Sequence, residues 1–195
     1  MLKFEKPEYK VKEYIENDSY GKFEIEPLER GFGTTLGNAL RRTMLSSLPG
    51  DAICSVKIDG VAHEFQKIDG VIEDVTAIVL NLKSVVIKNH SDDYSAILRI
   101  HREGPVEVLA DDIETDADIE ILNAEQLICT LAEGGSINME MTISNGRGYA
   151  RAEENKVLYG DEVKQNTIFI DSLYSPIERI NYEVETARVG QDSNY

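Results

Sequence analysis

Residues 27–50, PLERGFGTTLGNALRRTMLSSLPG, constrain the fold of this chain more than any other stretch. They read as a glycine-punctuated turn, one strong helix and a hard stop. Thr34 or Thr35 can cap the helix, because a hydroxyl there accepts from the free N–H groups of the first turn. Pro49-Gly50 ends it, since proline supplies no donor and disfavours a helical Leu48 before it. About 13 residues lie between these signals, a rod of roughly 20 Å.

At about 100° per residue, Leu36, Leu40 and Met44 form one apolar line, which Leu45 and Leu48 widen toward half the circumference. Asn38, Arg42 and Ser46 make a polar stripe on the opposite side. Gly37 and Arg41 fall inside the apolar half, and a glycine there costs about 1 kcal/mol against alanine. It implies a close approach by another backbone. Two readings fit: an ordinary amphipathic helix with Arg41 lying over its edge, or a helix serving two surfaces, its own sheet and another chain.

The same stretch opens a series of short motifs that runs in order along the chain. Leu28-Glu29-Arg30-Gly31-Phe32-Gly33 is followed by Thr35-Leu36-Gly37-Asn38-Ala39-Leu40-Arg41-Arg42, then by Leu45-Ser46-Ser47 before Pro49-Gly50. Next come Ile58-Asp59-Gly60-Val61, His63-Glu64-Phe65, Glu73-Asp74 and Leu80-Asn81-Leu82-Lys83. Gly146-Arg147-Gly148-Tyr149, Tyr174-Ser175-Pro176, Glu178-Arg179-Ile180, Val184-Glu185 and Ala187-Arg188-Val189 complete the set. Taken together these islands resemble the N-terminal assembly module of the bacterial RNA polymerase α subunit.

That resemblance implies an α+β fold: a discontinuous α/β dimerisation domain, residues 1–48 plus 174–195, with an inserted, mainly-β domain at 49–173. It implies a homodimer that serves as the platform for the β and β′ subunits in transcription, in the cytoplasm. Nucleotidyl transfer, with its magnesium, belongs to those large subunits, so no catalytic residue and no cofactor is expected on this chain. Dimer contacts would come from Leu36, Gly37, Leu40, Arg41, Met44, Leu45 and Leu48. Contacts to β or β′ would come from Arg30, Gly33, Asn38, Arg42 and Ser46, from His63, Glu64, Phe65, Glu73 and Asp74, and from Glu178 and Arg179. The family continues into a further helix that completes the dimer interface, then a linker and a DNA-contacting domain. Without them, no direct DNA contact is expected, and the dimer should be weakened or leave an apolar patch around Leu45 and Leu48.

Charge agrees with a protein partner rather than a nucleic acid. The formal net charge is −16, whereas phosphate binding needs a basic face. Residues 103–126 carry nine acids and no base, which reads as a solvated face; this run lacks the glycine and closing glutamate of a calcium loop. Cys54 and Cys129 are isolated thiols without zinc spacing, hence core residues of a reducing compartment. No apolar run is long enough to span a membrane, and the first residues lack the apolar region of a signal peptide.

Along the chain, residues 9–16 and 23–28 are expected to form strands around the turn Asn17-Asp18-Ser19. Short strands at 53–58 and 61–65 should flank Asp59-Gly60. A second helix is expected at 72–82, and a hairpin joins 85–88 to 95–100. Ile137, Met139, Met141 and Ile143 alternate as a half-buried strand. Ile180, Tyr182 and Val184 alternate likewise, and a lone terminal strand must pair with a sheet, most simply the N-terminal hairpin.

A competing function starts from Gly31, Gly33 and Gly37, a glycine-rich turn into a helix N-terminus that could bind a small ligand or nucleotide. Its spacing is GxGxxxG rather than GxGxxG, and no Walker lysine follows. No HExxH, no GxSxG and no paired base beside Asp111-Asp112 or Glu153-Glu154 points to catalysis.

Overall fold

The computed structural model describes residues 7–15, 20–91, 93, 95–160 and 165–186. The expected Asn17-Asp18-Ser19 turn and the Ala187-Arg188-Val189 motif lie outside them. The chain divides into two compact units, Met1–Met44 with Arg179–Tyr195, and Leu45–Glu178. Helices and antiparallel sheets coexist, so the fold class is α+β.

In the first unit, β1 (Glu8–Ile15) and β2 (Tyr20–Glu26) form an antiparallel hairpin. Its register sets Tyr9 opposite Ile25, Val11 opposite Phe23 and Tyr14 opposite Gly21, with an irregularity between Val11 and Glu13. Opposed residues share a face, so the apolar side chains gather on one side. Lys10 pairs with Glu26 and Lys12 with Glu24, each at 2.6 Å, in exposed positions where ion pairs add little.

Helix α1 (Phe32–Ser46) begins ahead of the expected Thr34 or Thr35 cap. The Phe32 N–H donates to the Glu29 carbonyl at 3.0 Å, and Gly31 takes a φ of +88°, so the turn itself launches the helix and both threonines fall in its first turn. The end lies where Pro49 requires it.

Residues 180–185 do not form the expected strand. Instead, a Cβ at Gly33 would lie 2.7 Å from Val184 Cγ1, and one at Gly37 would lie 2.4 Å from the Tyr182 ring. Four helical residues advance about 6 Å and two extended residues about 6.6 Å. The alternation that mimics a sheet strand therefore also matches a groove of glycines one helical turn apart.

The second unit is built on β3 (Pro49–Ile58), in which Ala52, Ile53, Cys54, Ser55 and Val56 are buried in succession, so both faces are covered. Helix α2 (Val75–Lys83) packs Val75, Ile78 and Leu82 into the core. It starts three residues later than expected because the Asp74 side chain caps it, accepting from the Ala77 N–H at 2.8 Å.

Next come β4 (Ile87–Asn89), β5 (Ser95–Glu103) and β6 (Val106–Leu109), with the 3-10 turn Ala110–Asp112 after them. They are followed by β7 (Ile119–Ile121), β8 (Leu127–Leu131), β9 (Ser136–Arg147) and β10 (Tyr149–Ala150). Helix α3 (Ala152–Tyr159), β11 (Ile168–Phe169) and β12 (Ser172–Leu173) close the series. The main sheet runs β5-β9-β3-β4-β7, with β11 also on β3. Ile137, Met139, Met141 and Ile143 of β9 are all buried, as their alternation requires.

Two local expectations fail. The 85–88 and 95–100 segments do not pair with each other; β4 joins β3 and β7, while β5 runs along β9 from Ser95 to Glu103. The long, half-buried β9 offers β5 far more matched surface than the short β4 could. Residues 61–65 form no strand either, because Gln66 closes them into a loop. The acids of 103–126 are mostly exposed; Asp112 is the exception, held by Arg102 at 2.6 Å and by the Leu109 N–H at 2.9 Å.

On the other side of β3 the returning chain is bolted down. Ile170 N–H donates to the Cys54 carbonyl at 3.0 Å, and Ser172 Oγ donates to the Ile53 carbonyl at 2.9 Å. The Tyr174 hydroxyl and Ser144 Oγ share a buried hydrogen bond of 2.7 Å. A Cβ at Gly50 would meet the Tyr174 carbonyl oxygen at 2.0 Å.

Two alanine substitutions separate steric from conformational cost. Gly50→Ala must displace backbone and should lose about 3 kcal/mol. Gly134→Ala, at φ +77° with open space around it, should lose only about 1 kcal/mol. Urea unfolding checks both, and equal losses would contradict the close packing at Gly50.

Candidate functional site

A 15-residue helix owes most of its stability to packing of its apolar face. Yet α1 has no buried residue. Leu36, Met44, Leu45 and Leu48 are half-buried, and Leu40 is 39% exposed. Asn38, Arg41, Arg42 and Ser46 are exposed, as is Arg30 in the preceding turn. Tyr9, Val11, Tyr14 and Phe23, on the apolar face of the hairpin, are also exposed. The first unit therefore shows apolar faces that its own described residues do not bury.

Gly33 and Gly37 are not open. Val184 and Tyr182 of the same chain occupy the space in front of them, so the close approach is by side chains, not by another backbone. The glycine turn consequently leaves no cradle for a phosphate, and nothing in the structure favours the small-ligand reading.

In the second unit the expected residues split into two kinds. His63, Glu64 and Phe65 project together from the loop that follows Asp59-Gly60, all exposed. Glu73 and Asp74 already bond within the unit, Glu73 half-buried and Asp74 exposed. Glu73 accepts from Thr130 N–H at 2.6 Å and from Thr130 Oγ1 at 3.0 Å, tying the loop to β8, while Asp74 caps α2. Glu178 and Arg179 are exposed where the two units divide.

Sequence reasoning missed Gln66 and Thr76. Gln66 Oε1 accepts from the Ala62 N–H at 3.0 Å, and Nε2 donates to the Gly60 carbonyl at 2.9 Å. Thr76 Oγ1 donates to the Glu64 carbonyl at 2.9 Å. A glutamine inside a loop carries no periodic signal, so only folded geometry reveals its two-sided bond.

Neither thiol is placed for chemistry. Burial, followed by the nearby charges of Glu73 and Asp112, pushes Cys129 up to about 12, and burial also raises Cys54. Among the described residues no cluster of three or more His, Cys, Asp or Glu is arranged to hold a metal ion, and no helix is long and apolar enough to cross a membrane.

Residues 56–175 match the family described as the RNA polymerase Rpb3/RpoA insert domain. Over all 195 residues the chain is 53% identical to the DNA-directed RNA polymerase subunit alpha of Symbiobacterium thermophilum, and spans 61% of that relative's length.

Two measurements test these placements. Asp74→Ala should cost about 1 kcal/mol of stability before any partner is added, while Asp74→Asn retains most of it; an unchanged melting temperature for the alanine variant would contradict the cap. At pH 8 both thiols should react with a thiol reagent at least roughly 100-fold more slowly in the native protein than in denaturant, because the thiolate is the reactive form. Rapid native labelling would contradict their burial.

Proposed function

This chain belongs to the RNA polymerase Rpb3/RpoA insert-domain family, and from that premise we propose that it is the assembly module of an RNA polymerase α subunit, acting in the cytoplasm. It pairs with a second copy of itself and presents a surface on which the large β and β′ subunits are loaded. It supplies position, not chemistry: nucleotidyl transfer and its magnesium belong to the large subunits, and this chain needs no cofactor of its own.

The observation that carries this reading is α1, an amphipathic helix without one buried residue. Burying an aliphatic side chain is worth about 1.5–3 kcal/mol, so Leu40, with Leu36, Gly37, Arg41, Met44, Leu45 and Leu48 around it, is a favourable surface for a second copy. The stripe of Asn38, Arg42 and Ser46, with Arg30 and Gly33 at the start of the helix, is suited to polar contact with β or β′. Arg42 is the strongest candidate, since a guanidinium offers five donors in a fixed fork. His63, Glu64, Phe65, Glu178 and Arg179 extend the contact surface. Glu73 and Asp74 hold the elements beside it, through Thr130 and the α2 cap.

Leu40→Glu should convert the dimer to monomer at micromolar concentration in analytical ultracentrifugation. Arg42→Ala should leave the dimer intact and weaken capture of β by about 2 kcal/mol or more, near 30-fold. Unchanged sedimentation of the first, or unchanged β affinity of the second, would overturn the corresponding assignment.

A further inference from the structure

We propose that Tyr182 and Val184 form a two-point key in the glycine groove of α1, and that Tyr182 is the positioning residue that sets which row of the helix a second copy meets. This rests on the assembly role above and identifies what orients the contact within it.

At about 100° per residue, the apolar half of α1 resolves into neighbouring rows whose members are four residues apart. Phe32, Leu36, Leu40 and Met44 form a ridge, in which Phe32 and Leu40 are 52% and 39% exposed. Gly33 and Gly37 form the groove beside it. Glycine is the poorest helix former after proline, so two of them one turn apart weaken the helix unless something uses the space they leave.

Residues 180–185 use it. They are neither helix nor strand, and among the described residues no backbone hydrogen bond holds them. Two side chains seat the segment instead. A Cβ at Gly37 would lie 2.4, 2.7 and 2.8 Å from Cδ2, Cε2 and Cγ of Tyr182, and one at Gly33 would lie 2.7 and 3.3 Å from Cγ1 and Cγ2 of Val184. A single seated side chain would let α1 roll or slide beneath it. Two of them, spaced to match one helical turn, fix rotation and axial position together. Rolling by about 100° would put a neighbouring row where the ridge now stands.

A methyl group at Gly37 and the Tyr182 ring cannot share this space, because real Cβ atoms essentially never come within 3.0 Å of such neighbours. Alanine at Gly37 therefore expels the ring and removes the reference that orients α1. With the ring already absent, the same methyl meets none of these atoms, and alanine is the better helix former. The two substitutions thus compensate in stability, which a glycine kept open for a partner's backbone would not show.

The test measures the full α subunit carrying this sequence, with self-association read by analytical ultracentrifugation well below the melting temperature of each variant. Gly37→Ala and Tyr182→Ala should each weaken self-association by about tenfold, and the double variant by no more than about twofold beyond Tyr182→Ala, because both act through one ring. Tyr182→Phe keeps the ring and should stay within about twofold of wild type. Gly37→Ala should lower the melting temperature with Tyr182 present and leave it unchanged or raised in the Tyr182→Ala background.

Wild type that stays monomeric at micromolar concentration would overturn the assembly role and this inference with it. A wild-type dimer that both single variants leave within twofold would overturn the key alone. Equal losses from Gly37→Ala in both backgrounds would make Gly37 a direct contact between copies and overturn the positioning role of Tyr182.

Discussion

Everything in the second unit depends on β3 being covered on both faces. Ala52 to Val56 are buried in succession, which requires a layer on each side of the strand. On one side lies the core, to which α2 and β8 contribute from outside the sheet. The returning segment of residues 168–174 pairs along β3 and ends its hydrogen bonds on the Ile53 and Cys54 carbonyls, and its Tyr174 is buried against Gly50 and Gly146. A chain segment about 115 residues downstream is thus needed to satisfy the backbone of the central strand. Gly50 and Gly146 leave room for Tyr174 to settle there.

That rigid base gives the 60–75 connection its character. It leaves β3 at Ile58, returns at Val75, and is tied to β8 through Glu73 and Thr130. Between those points the backbone is held by Gln66 and Thr76, so an exposed phenyl group is displayed by a closed loop. Loops displayed by a stable scaffold are where recognition residues concentrate.

The first unit is the opposite case. A two-stranded hairpin is marginal by itself, and an amphipathic helix draws its stability from what covers it. Here both have exposed apolar faces, and among the described residues Tyr182 and Val184 close over the glycines of α1. The second unit thus buries its own core, whereas the first leaves apolar faces that its described residues do not cover.

Periodicity made the strongest elements legible. The apolar line of α1, its stop at Pro49, and the alternation of Ile137, Met139, Met141 and Ile143 are local properties, set by side-chain spacing along one element. Ordered short motifs also carried the resemblance to RNA polymerase α subunits, since a run of matches over the whole length needs no tertiary information. The partner of each strand was not legible. Whether 85–88 meets 95–100 or each joins a different neighbour depends on the surface β9 and β3 offer, and the alternation of 180–185 fits a sheet edge or a glycine groove equally well.

Side-chain commitment was the other hidden quantity. Glu73 and Asp74 were expected only as contacts to β or β′, and Gln66 carried no signal, until folding set Thr130, Ala77 and Gly60 within bonding distance. The sequence by itself determined the helix α1 and its stop, the alternating strand β9 and which family the chain resembles, because those follow from local spacing and motif order. Only the tertiary structure decided strand partners, the two-sided burial of β3 and which polar groups remain available, because those depend on residues far apart in the chain meeting in space.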